Sequence, residues 1–327
     1  MRIVIIGIGA LGCLLGARLE PVADVVLLGH WPAQLAALRR DGLRLEHPDG
    51  SHSRHRLAVA DDPAAISRAD VALVAVKSRQ TPDAAGAAER LLGSDGLALT
   101  LQNGLNNRAA LRAVLGEARV ALGVTAQGAT TLAPGVVRHA GHGPTYFGRD
   151  AALGPSQRDC LAALAALFAR AGFETQLVDD ADGLVWGKLV VNAAINPLTA
   201  LLRVPNGFLL EHAELVAVMR RTAAEVAAVA ERQGIALPAG DPGERAIAVA
   251  RGTAANRSSM LQDVERGALT EIDAICGAVV RAGRAAGVAT PLNSRLADLV
   301  AQVESGNPPV APGDVAGLIR QLDPAMR

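Results

Sequence analysis

The first half of the chain repeats short apolar runs, many of them β-branched, separated by longer stretches with helical periodicity. The apolar runs occupy residues 2–6, 24–28, 71–76, 97–101, 120–125 and 174–178. Runs of this length are typical of strands buried on both faces of a parallel sheet. Helical stretches lie between several of them, for example at residues 34–41 and 156–171. This alternation predicts an α/β domain built on a doubly wound parallel sheet with crossover helices.

Two stretches interrupt the alternation. Residues 43–60 alternate loosely and contain His47, His52 and His55, which predicts a solvent-facing hairpin. Residues 134–148 are rich in glycine and predict a second, hairpin-like excursion. Three histidines suggest a metal site, but turn residues surround them and no carboxylate is suitably spaced, so the sequence does not favour one.

The pattern changes after residue 179. Strand-like runs give way to Ala-rich amphipathic stretches at residues 181–201, 211–234, 242–252, 268–287 and 291–304. Gly234 and Gly287 stand where helices commonly end. The chain therefore divides, by its pattern, into an α/β domain over residues 1–179 and an all-helical domain over residues 180–327. The Pro-rich segment from Asn307 onward is expected to lie on the surface.

The composition narrows the classes of partner. The 327 residues include 32 Lys or Arg and 32 Asp or Glu, so the formal net charge is zero, and only 2% are aromatic. A balanced charge disfavours general binding of nucleic acid or acidic membranes, and scarce aromatics disfavour base stacking. The expected partner is therefore a small molecule.

Cysteine usage and hydropathy indicate the compartment. Cys13, Cys160 and Cys276 lie far apart, so they support neither a disulfide framework nor a zinc site. The first residues lack the features of a signal peptide, and the apolar stretches are interrupted before about 18 residues. We expect a soluble cytoplasmic protein without a membrane segment.

A glycine-rich turn lies directly between the first strand and the first helix. It follows the pattern GxGxxG and consists of Gly7, Ile8, Gly9, Ala10, Leu11 and Gly12. Such glycines allow a tight turn and a close approach of backbone to a pyrophosphate, which the helix N-terminus then attracts. A tight turn without a ligand would also use glycines, but the strand–helix–strand context favours a Rossmann-type dinucleotide site.

The end of the second strand indicates which dinucleotide. NAD enzymes commonly carry an acid there to bind the ribose hydroxyls, but the sequence reads Leu-Leu-Gly-His-Trp. Asp24 comes too early and Asp41 too late to fill this position. The absence of an acid favours NADP(H), with His30 as a candidate contact of the 2′-phosphate. Arg39 or Arg40 would contact the 2′-phosphate if the chain folds back toward it.

Two polar residues follow buried strands. Lys77 ends one apolar run and Asn103 follows the next, and ligands of doubly wound sheets bind beyond such strand ends. Both are therefore candidate ligand contacts. A solvated loop lysine and an ordinary Asn-Gly turn are the plainer interpretations.

The helical half carries a denser group of polar residues. Lys188, Asn192 and Asn196 recur every fourth residue, so they share one face of a helix whose other residues are apolar. A cation and two amides on such a helix require polar partners or a ligand. Further along, Ser258 or Ser259 is placed to cap a helix, and Glu271 follows in a Thr-Glu-Ile-Asp sequence.

Taken with these motifs, the chain resembles the ketopantoate reductase (2-dehydropantoate 2-reductase) family over nearly its full length. The resemblance rests on the glycine turn, Lys77, the Gln-Asn-Gly turn at Asn103, and a Pro-Gly-Val-Val-x-His-x-Gly-x-Gly segment beginning at Pro134. Its most specific parts are Trp-x-Lys-Leu-x-x-Asn-x-x-x-Asn-Pro-Leu-Thr-Ala from Trp186, and Ser-Ser-Met-Leu-Gln-Asp from Ser258 followed by Thr-Glu-Ile-Asp from Thr270. It implies NADPH-dependent reduction of 2-dehydropantoate to pantoate, toward pantothenate and coenzyme A.

The resemblance also implies residue roles. Lys188 is implied to be the general acid at the keto oxygen, with Glu271 as its acidic partner. Lys77 and Asn103 are implied to border the nicotinamide and the substrate, and Glu271 also to approach the cofactor. These roles agree with the chemistry, because hydride arriving at a keto carbon places negative charge on its oxygen, which a lysine stabilises and protonates.

The remaining implied roles concern the substrate and specificity. Asn192 and Asn196 are implied to hold the substrate, and Ser259, with Ser258 close by, to bind its carboxylate. One departure stands out, because the family commonly places an Arg after the second strand where this chain has His30 and Trp31.

Alternative functions remain open at this stage. A relative acting on another small 2-keto acid would keep the same residues. A non-catalytic NADP-binding protein and an NAD-linked hydroxyacyl or sugar-acid dehydrogenase are further alternatives. A homodimer formed through the helical half is a hypothesis.

Overall fold

The computed structural model describes residues 1–322 and contains two compact units. The first comprises residues 1–102 and 106–181, and the second comprises residues 103–105 and 182 onward. The sequence pattern placed the boundary after residue 179, whereas the structure divides after Ala181. The structure also assigns the short segment Asn103–Leu105 to the helical unit.

The first unit is built on an eight-stranded sheet with the order β12-β11-β8-β7-β6-β1-β2-β5. The strands of this unit are β1 (Arg2–Ile6), β2 (Asp24–Leu28), β3 (Leu43–Glu46), β4 (His52–His55), β5 (Ala58–Ala60), β6 (Ala69–Val74), β7 (Leu92–Thr100), β8 (Val120–Thr125), β9 (Gly128–Ala133), β10 (Val136–Gly141), β11 (Thr145–Gly148) and β12 (Thr175–Val178). Neighbours in the large sheet run parallel except β8 and β11, which are antiparallel.

Helices cover both faces of this sheet. They are α1 (Ala10–Leu19), α2 (Pro32–Asp41), α3 (Thr81–Leu91), α4 (Asn107–Leu115) and α5 (Pro155–Arg170). Successive residues of β1 belong to two different cores, since Ile3 and Ile5 pack in one and Val4 and Ile6 in the other. The alternation follows from the two-residue period of a strand, and it confirms the α/β prediction of a parallel sheet buried on both faces.

A smaller sheet with the order β4-β3-β10-β9 forms part of the same unit. Strands β3 and β4 form the hairpin predicted within residues 43–60, but β5 leaves it and pairs with β2 in the large sheet. The second hairpin was expected over residues 134–148, but it consists of β9 and β10 and therefore begins at Gly128. The end of the predicted stretch is β11, which pairs with β8 in the large sheet. His139 on β10 is buried, and its Nε2 lies 2.7 Å from Gln127 Oε1. This contact joins β10 to the residue that precedes β9.

The second unit is helical. Its helices are α6 (Ala181–Leu202), α7 (Ala213–Arg232), α8 (Pro242–Gly252), α9 (Ser259–Glu265), α10 (Ala278–Ala286), α11 (Pro291–Glu304) and α12 (Val315–Leu322), with a 3-10 helix over Asn206–Glu211 and a π-helix over Asp273–Gly277. Among the described residues, α6 alone is long and apolar enough to span a membrane, and 72% of its apolar window is buried inside the structure. Its apolarity is therefore that of a central core helix.

Two sequence predictions in this unit are wrong in part. The helix expected over residues 268–287 begins only at Asp273, as a π-helix, because residues 266–272 form an irregular loop held by tertiary hydrogen bonds. The segment from Asn307 onward does not simply lie on the surface, since α12 buries Leu318 completely in the core. Residues 323–327 of that prediction lie outside the described residues.

Candidate active site and dinucleotide site

Two glycines of the first turn are required by the fold itself. Gly7 has φ +125°, and a Cβ there would lie 2.7 Å from the backbone of Ala75 at the end of β6. A Cβ on Gly12 would collide with the carbonyl oxygen of Gly7. These positions accept only glycine because strand, turn and helix pack directly against one another.

Gly9 differs, because a Cβ at this position would meet no protein atom within 4 Å. Gly9 is the N-cap of α1, and no acidic residue occupies the first turn of that helix. The first amides of a helix lack intrahelical partners and carry partial positive charge. The open space beside Gly9 and these amides therefore fit the pyrophosphate of a dinucleotide, which Gly7, Ile8, Ala10, Leu11 and Gly12 would surround.

The end of β2 is shaped for close packing beneath this turn. A Cβ on Gly29 would lie 2.6 Å from the Ile8 side chain, so glycine is needed there as well. His30 follows and is exposed, lining a surface pocket together with Arg39 and Asp61. The sequence pattern missed Asp61, which follows a three-residue strand and has no recognisable motif.

Lys77 and Gln102 lie at neighbouring strand ends of the first unit. Lys77 follows β6 and begins a 3-10 helix over Ser78–Gln80. The side-chain amide of Gln102 donates to Val76 O at 2.8 Å and to Thr81 Oγ1 at 2.9 Å. Gln102 thus ties the end of β7 to the segment that carries Lys77, which fixes this edge of the sheet.

Lys188 lies on α6, among apolar residues that are almost fully buried. Trp186, Leu189 and Val190 on either side are at most 4% exposed. Burial lowers the pKa of Lys188 from 10.5 to about 8, and the charge of Glu271 acts in the opposite direction. A lysine with a pKa near neutrality can both carry a proton and release it.

Asn192 and Asn196 continue the polar face of the same helix. Asn192 is half-buried and Asn196 is 7% exposed. Within residues 1–322 their side-chain amides take part in no intramolecular hydrogen bond, so their donors and acceptors remain available to a ligand. The four-residue spacing read from the sequence therefore corresponds to one face of one continuous helix.

Glu271 lies in the irregular loop before the π-helix and is 8% exposed. Its Oε2 accepts a hydrogen bond of 3.4 Å from Asn103 Nδ2. The neighbouring Leu105 N–H donates to Ala274 O at 3.1 Å, and Gly104, with φ +82°, passes so close to Ala274 that a side chain would not fit. The Asn103–Leu105 segment thus docks on the π-helix, a conformation frequent at functional sites.

Ser258 and Ser259 occupy different environments. The Ser258 hydroxyl is buried, accepts from Leu261 N at 3.1 Å as the cap of α9, and lies 2.7 Å from Thr199 Oγ1 on α6. Ser259 is exposed at the first position of α9. Ser258 therefore joins the start of α9 to the polar helix, whereas the hydroxyl of Ser259 faces solvent.

Two of the three histidines of the first hairpin form hydrogen bonds with one serine. His47 Nε2 and His55 Nε2 lie 3.0 and 2.8 Å from Ser53 Oγ. Among the described residues no group of three or more His, Cys, Asp or Glu side chains is arranged to hold a metal ion.

Family models match both units. A model described as "Ketopantoate reductase PanE/ApbA" matches residues 3–151, and one described as "Ketopantoate reductase PanE/ApbA C terminal" matches residues 180–304. The 2-dehydropantoate 2-reductase of Halobacterium salinarum is 42% identical over 302 residues, 92% of this chain and 98% of the relative. That of Archaeoglobus fulgidus is 36% identical over 310 residues, 93% of this chain and 98% of the relative.

Solved structures show the same similarity. A PanE/ApbA family ketopantoate reductase from Ralstonia eutropha JMP134 superposes with a TM-score of 0.84 at 35% identity, covering 94% of this chain and 99% of its own. A D-mandelate dehydrogenase solved with NADH and anilino(oxo)acetate superposes with a TM-score of 0.86 at 25% identity, with the same coverage.

Proposed function

The chain belongs to the ketopantoate reductase family of nicotinamide dinucleotide-dependent oxidoreductases, and we propose that it reduces 2-dehydropantoate to pantoate with NADPH. The observation that carries the proposal is a half-buried Lys188 on α6, whose pKa is lowered to about 8 by desolvation and raised by the charge of the Glu271 carboxylate. The naming of the full-length relatives supports the substrate. The product would enter pantothenate and coenzyme A synthesis in the cytoplasm.

Lys188 is the general acid of the proposed reaction. The bound nicotinamide supplies the hydride that reduces the keto carbon. The Lys188 ammonium stabilises the charge that develops on the keto oxygen and delivers a proton from Nζ to it. With a pKa of about 8, most of this lysine is protonated at neutral pH, and its proton is easier to release than that of an ordinary lysine.

Glu271 keeps Lys188 protonated and in place. Desolvation alone would push the pKa of Lys188 lower, and the Glu271 charge opposes that shift. Asn103 donates to the Glu271 carboxylate, so the Asn103–Leu105 segment positions the acid that tunes the lysine. We assign Asn103, Glu271 and Lys77 to the nicotinamide end of the cofactor as well.

The substrate is held by the remaining polar residues of the second unit. Asn192 and Asn196 offer unengaged side-chain amides on the same helix face as Lys188, suited to the hydroxyl and carboxylate of a keto acid. Ser259, with its exposed hydroxyl, is assigned to the substrate carboxylate. Ser258 supports this assembly by joining α9 to Thr199.

In the first unit, the glycine turn and the N-terminus of α1 are proposed to bind the pyrophosphate of NADPH. The open space beside Gly9 supports this assignment, since no protein atom fills it. His30 is proposed to lie at the 2′-phosphate, where no acid follows β2. A homodimer formed through the second unit is also proposed.

A second candidate is reduction of another small 2-keto acid. The similarity to a D-mandelate dehydrogenase, with a TM-score of 0.86, favours it specifically, because the same fold there serves a different hydroxy acid. The residues proposed to bind the keto acid and to donate the proton are compatible with both substrates.

The decisive experiment is a steady-state assay of NADPH oxidation with 2-dehydropantoate and with benzoylformate. The proposal predicts a higher kcat/KM with 2-dehydropantoate. Turnover of benzoylformate alone would reject the substrate and leave the reaction type standing. Absence of turnover with both, in protein shown to bind NADPH, would reject the enzymatic function in favour of a non-catalytic dinucleotide-binding protein.

A further inference from the structure

A small pocket at the edge of the first unit contains both an acid and a cation. Its volume is about 260 Å³. It is lined by His30, Pro32, Leu35, Ala36, Arg39 and Asp61. The histidine follows β2, the aspartate follows β5, and the other residues belong to α2.

The sheet places Asp61 where a dinucleotide-specificity acid is useful. Strands β2 and β5 are parallel neighbours, and Gly29 N–H donates to Ala60 O at 3.1 Å just beyond β2. Asp61 therefore lies beside the position that carries the ribose-binding acid in NAD enzymes. The next residue is already engaged, because the Asp62 carboxylate accepts from Ala64 N at 2.8 Å.

Arg39 is paired with this acid. It lies in the last turn of α2, on the same face as Leu35 and Ala36, and its Nη2 is 3.2 Å from Asp61 Oδ2. The hydrogen bond from Arg39 holds the pKa of Asp61 below its usual value. The two side chains are 48% and 55% exposed, and exposed ion pairs are weak enough to exchange partners.

We propose that the Arg39–Asp61 pair sets the choice between NADP and NAD, an inference that rests on the dinucleotide site of the proposed function. Arg39 is the guanidinium that binds a 2′-phosphate, and Asp61 competes with that phosphate for it. When no phosphate is present, Asp61 accepts a hydrogen bond from the 2′-hydroxyl. Asp61 thus reduces the preference for NADP that Arg39 alone would give.

Binding of adenosine fragments to the full chain tests this directly. Calorimetry gives dissociation constants for 2′,5′-ADP and 5′-ADP, which differ only in the 2′-phosphate. We expect Asp61→Asn to increase the discrimination in favour of 2′,5′-ADP by about threefold to tenfold, and Arg39→Gln to decrease it by about tenfold. Arg39→Lys keeps the charge but not the planar guanidinium that donates two parallel hydrogen bonds to a phosphate, so it should lose only part of the discrimination.

Arg40→Gln is the matched control. Arg40 is the neighbouring residue of equal charge, but it pairs with Asp41 at 2.7 Å and does not line the pocket. The Arg40→Gln variant should discriminate between 2′,5′-ADP and 5′-ADP as strongly as the wild type does. Because each variant is judged by a ratio of two ligands, a loss of folded protein alone does not change the result.

The outcomes separate this inference from the proposed function. An unchanged or lower discrimination in Asp61→Asn, or an unchanged one in Arg39→Gln, overturns the inference even if the wild type reduces 2-dehydropantoate. If the variants show the expected ratios of dissociation constants but the protein reduces no keto acid, the role of the Arg39–Asp61 pair is supported and the proposed function is overturned.

Discussion

Replacing Glu271 by Gln should shift the pH range in which the enzyme reduces its substrate. The substitution removes the negative charge that raises the pKa of Lys188 but keeps an oxygen able to accept from Asn103. Desolvation then acts with less opposition, so the pKa of Lys188 falls below about 8. An opposite charge in a nearby position is generally worth about one pKa unit or more, which corresponds to about 1.4 kcal/mol.

The sign follows from the role of the lysine. In the proposed mechanism reduction requires protonated Lys188, so kcat/KM is expected to fall as pH rises through the pKa of this lysine. In the wild type this decline should centre near pH 8, and in Glu271→Gln about one unit lower. At a pH midway between these two values, the protonated fraction falls from about three quarters to about one quarter. Oxidation of pantoate requires the neutral amine, so its activity should extend to correspondingly lower pH.

The assay is a pH profile of kcat/KM in both directions at saturating cofactor. Asp273→Asn is the matched control, because this carboxylate lies two residues away, is 82% exposed and pairs with Arg281 at 2.6 Å. Its profile should coincide with that of the wild type. A Glu271→Gln profile that does not move, or that moves to higher pH, would refute the assigned coupling.

Three further perturbations test separate parts of the account. Lys188→Met should lower kcat by about 10² to 10⁴ while the dissociation constant of NADPH, measured by fluorescence titration, stays within about twofold; a near-normal kcat would contradict its role as general acid. Gly9→Ala should weaken NADPH binding but cost at most about 1 kcal/mol of stability, since its Cβ meets no protein atom, whereas Gly12→Ala should cost about 1–3 kcal/mol by collision. An equal loss of unfolding free energy in Gly9→Ala and Gly12→Ala, measured by denaturant unfolding, would contradict this distinction. Glu225→Ala should cost about 2 kcal/mol of stability and leave kinetics unchanged, because the carboxylate accepts three hydrogen bonds at the start of α11; an unchanged unfolding midpoint would count against it.

The large sheet could be predicted closely from local pattern. Strands β1 and β2 coincide with the runs at residues 2–6 and 24–28, because strand residues buried on both faces of a sheet are apolar. The charged residues that begin these strands, Arg2 and Asp24, form an exposed ion pair. The polar face of α6 could be predicted for a related reason. A lysine and two amides at four-residue spacing stand out against a helix that is otherwise core.

Tertiary contacts explain what the pattern missed around Glu271. Residues 268–272 have helix-forming composition, but Thr270 N–H donates to Glu304 at 2.7 Å, and the Asn103–Leu105 segment pairs with Ala274. These contacts join residues more than thirty positions apart, and no local periodicity encodes them. They also place Glu271 in a loop rather than on a regular helix.

Strand order explains why Asp61 was missed. Its strand, β5, has three residues and gives almost no pattern, and its neighbour β2 lies thirty residues earlier. Only the sheet shows that Asp61, directly after β5, lies beside the end of β2. The buried helix α12 was missed because the prolines before it suggested an irregular surface segment.

The most direct test of the central claim follows the transferred hydrogen. NADPH carrying deuterium at its transferable position is incubated with 2-dehydropantoate and the enzyme, and the product is examined by mass spectrometry and NMR. We expect pantoate with one deuterium at C2 from the wild type and almost none from Lys188→Met over the same time. Pantoate without the label, equal labelling by the variant, or no pantoate from the wild type would contradict it.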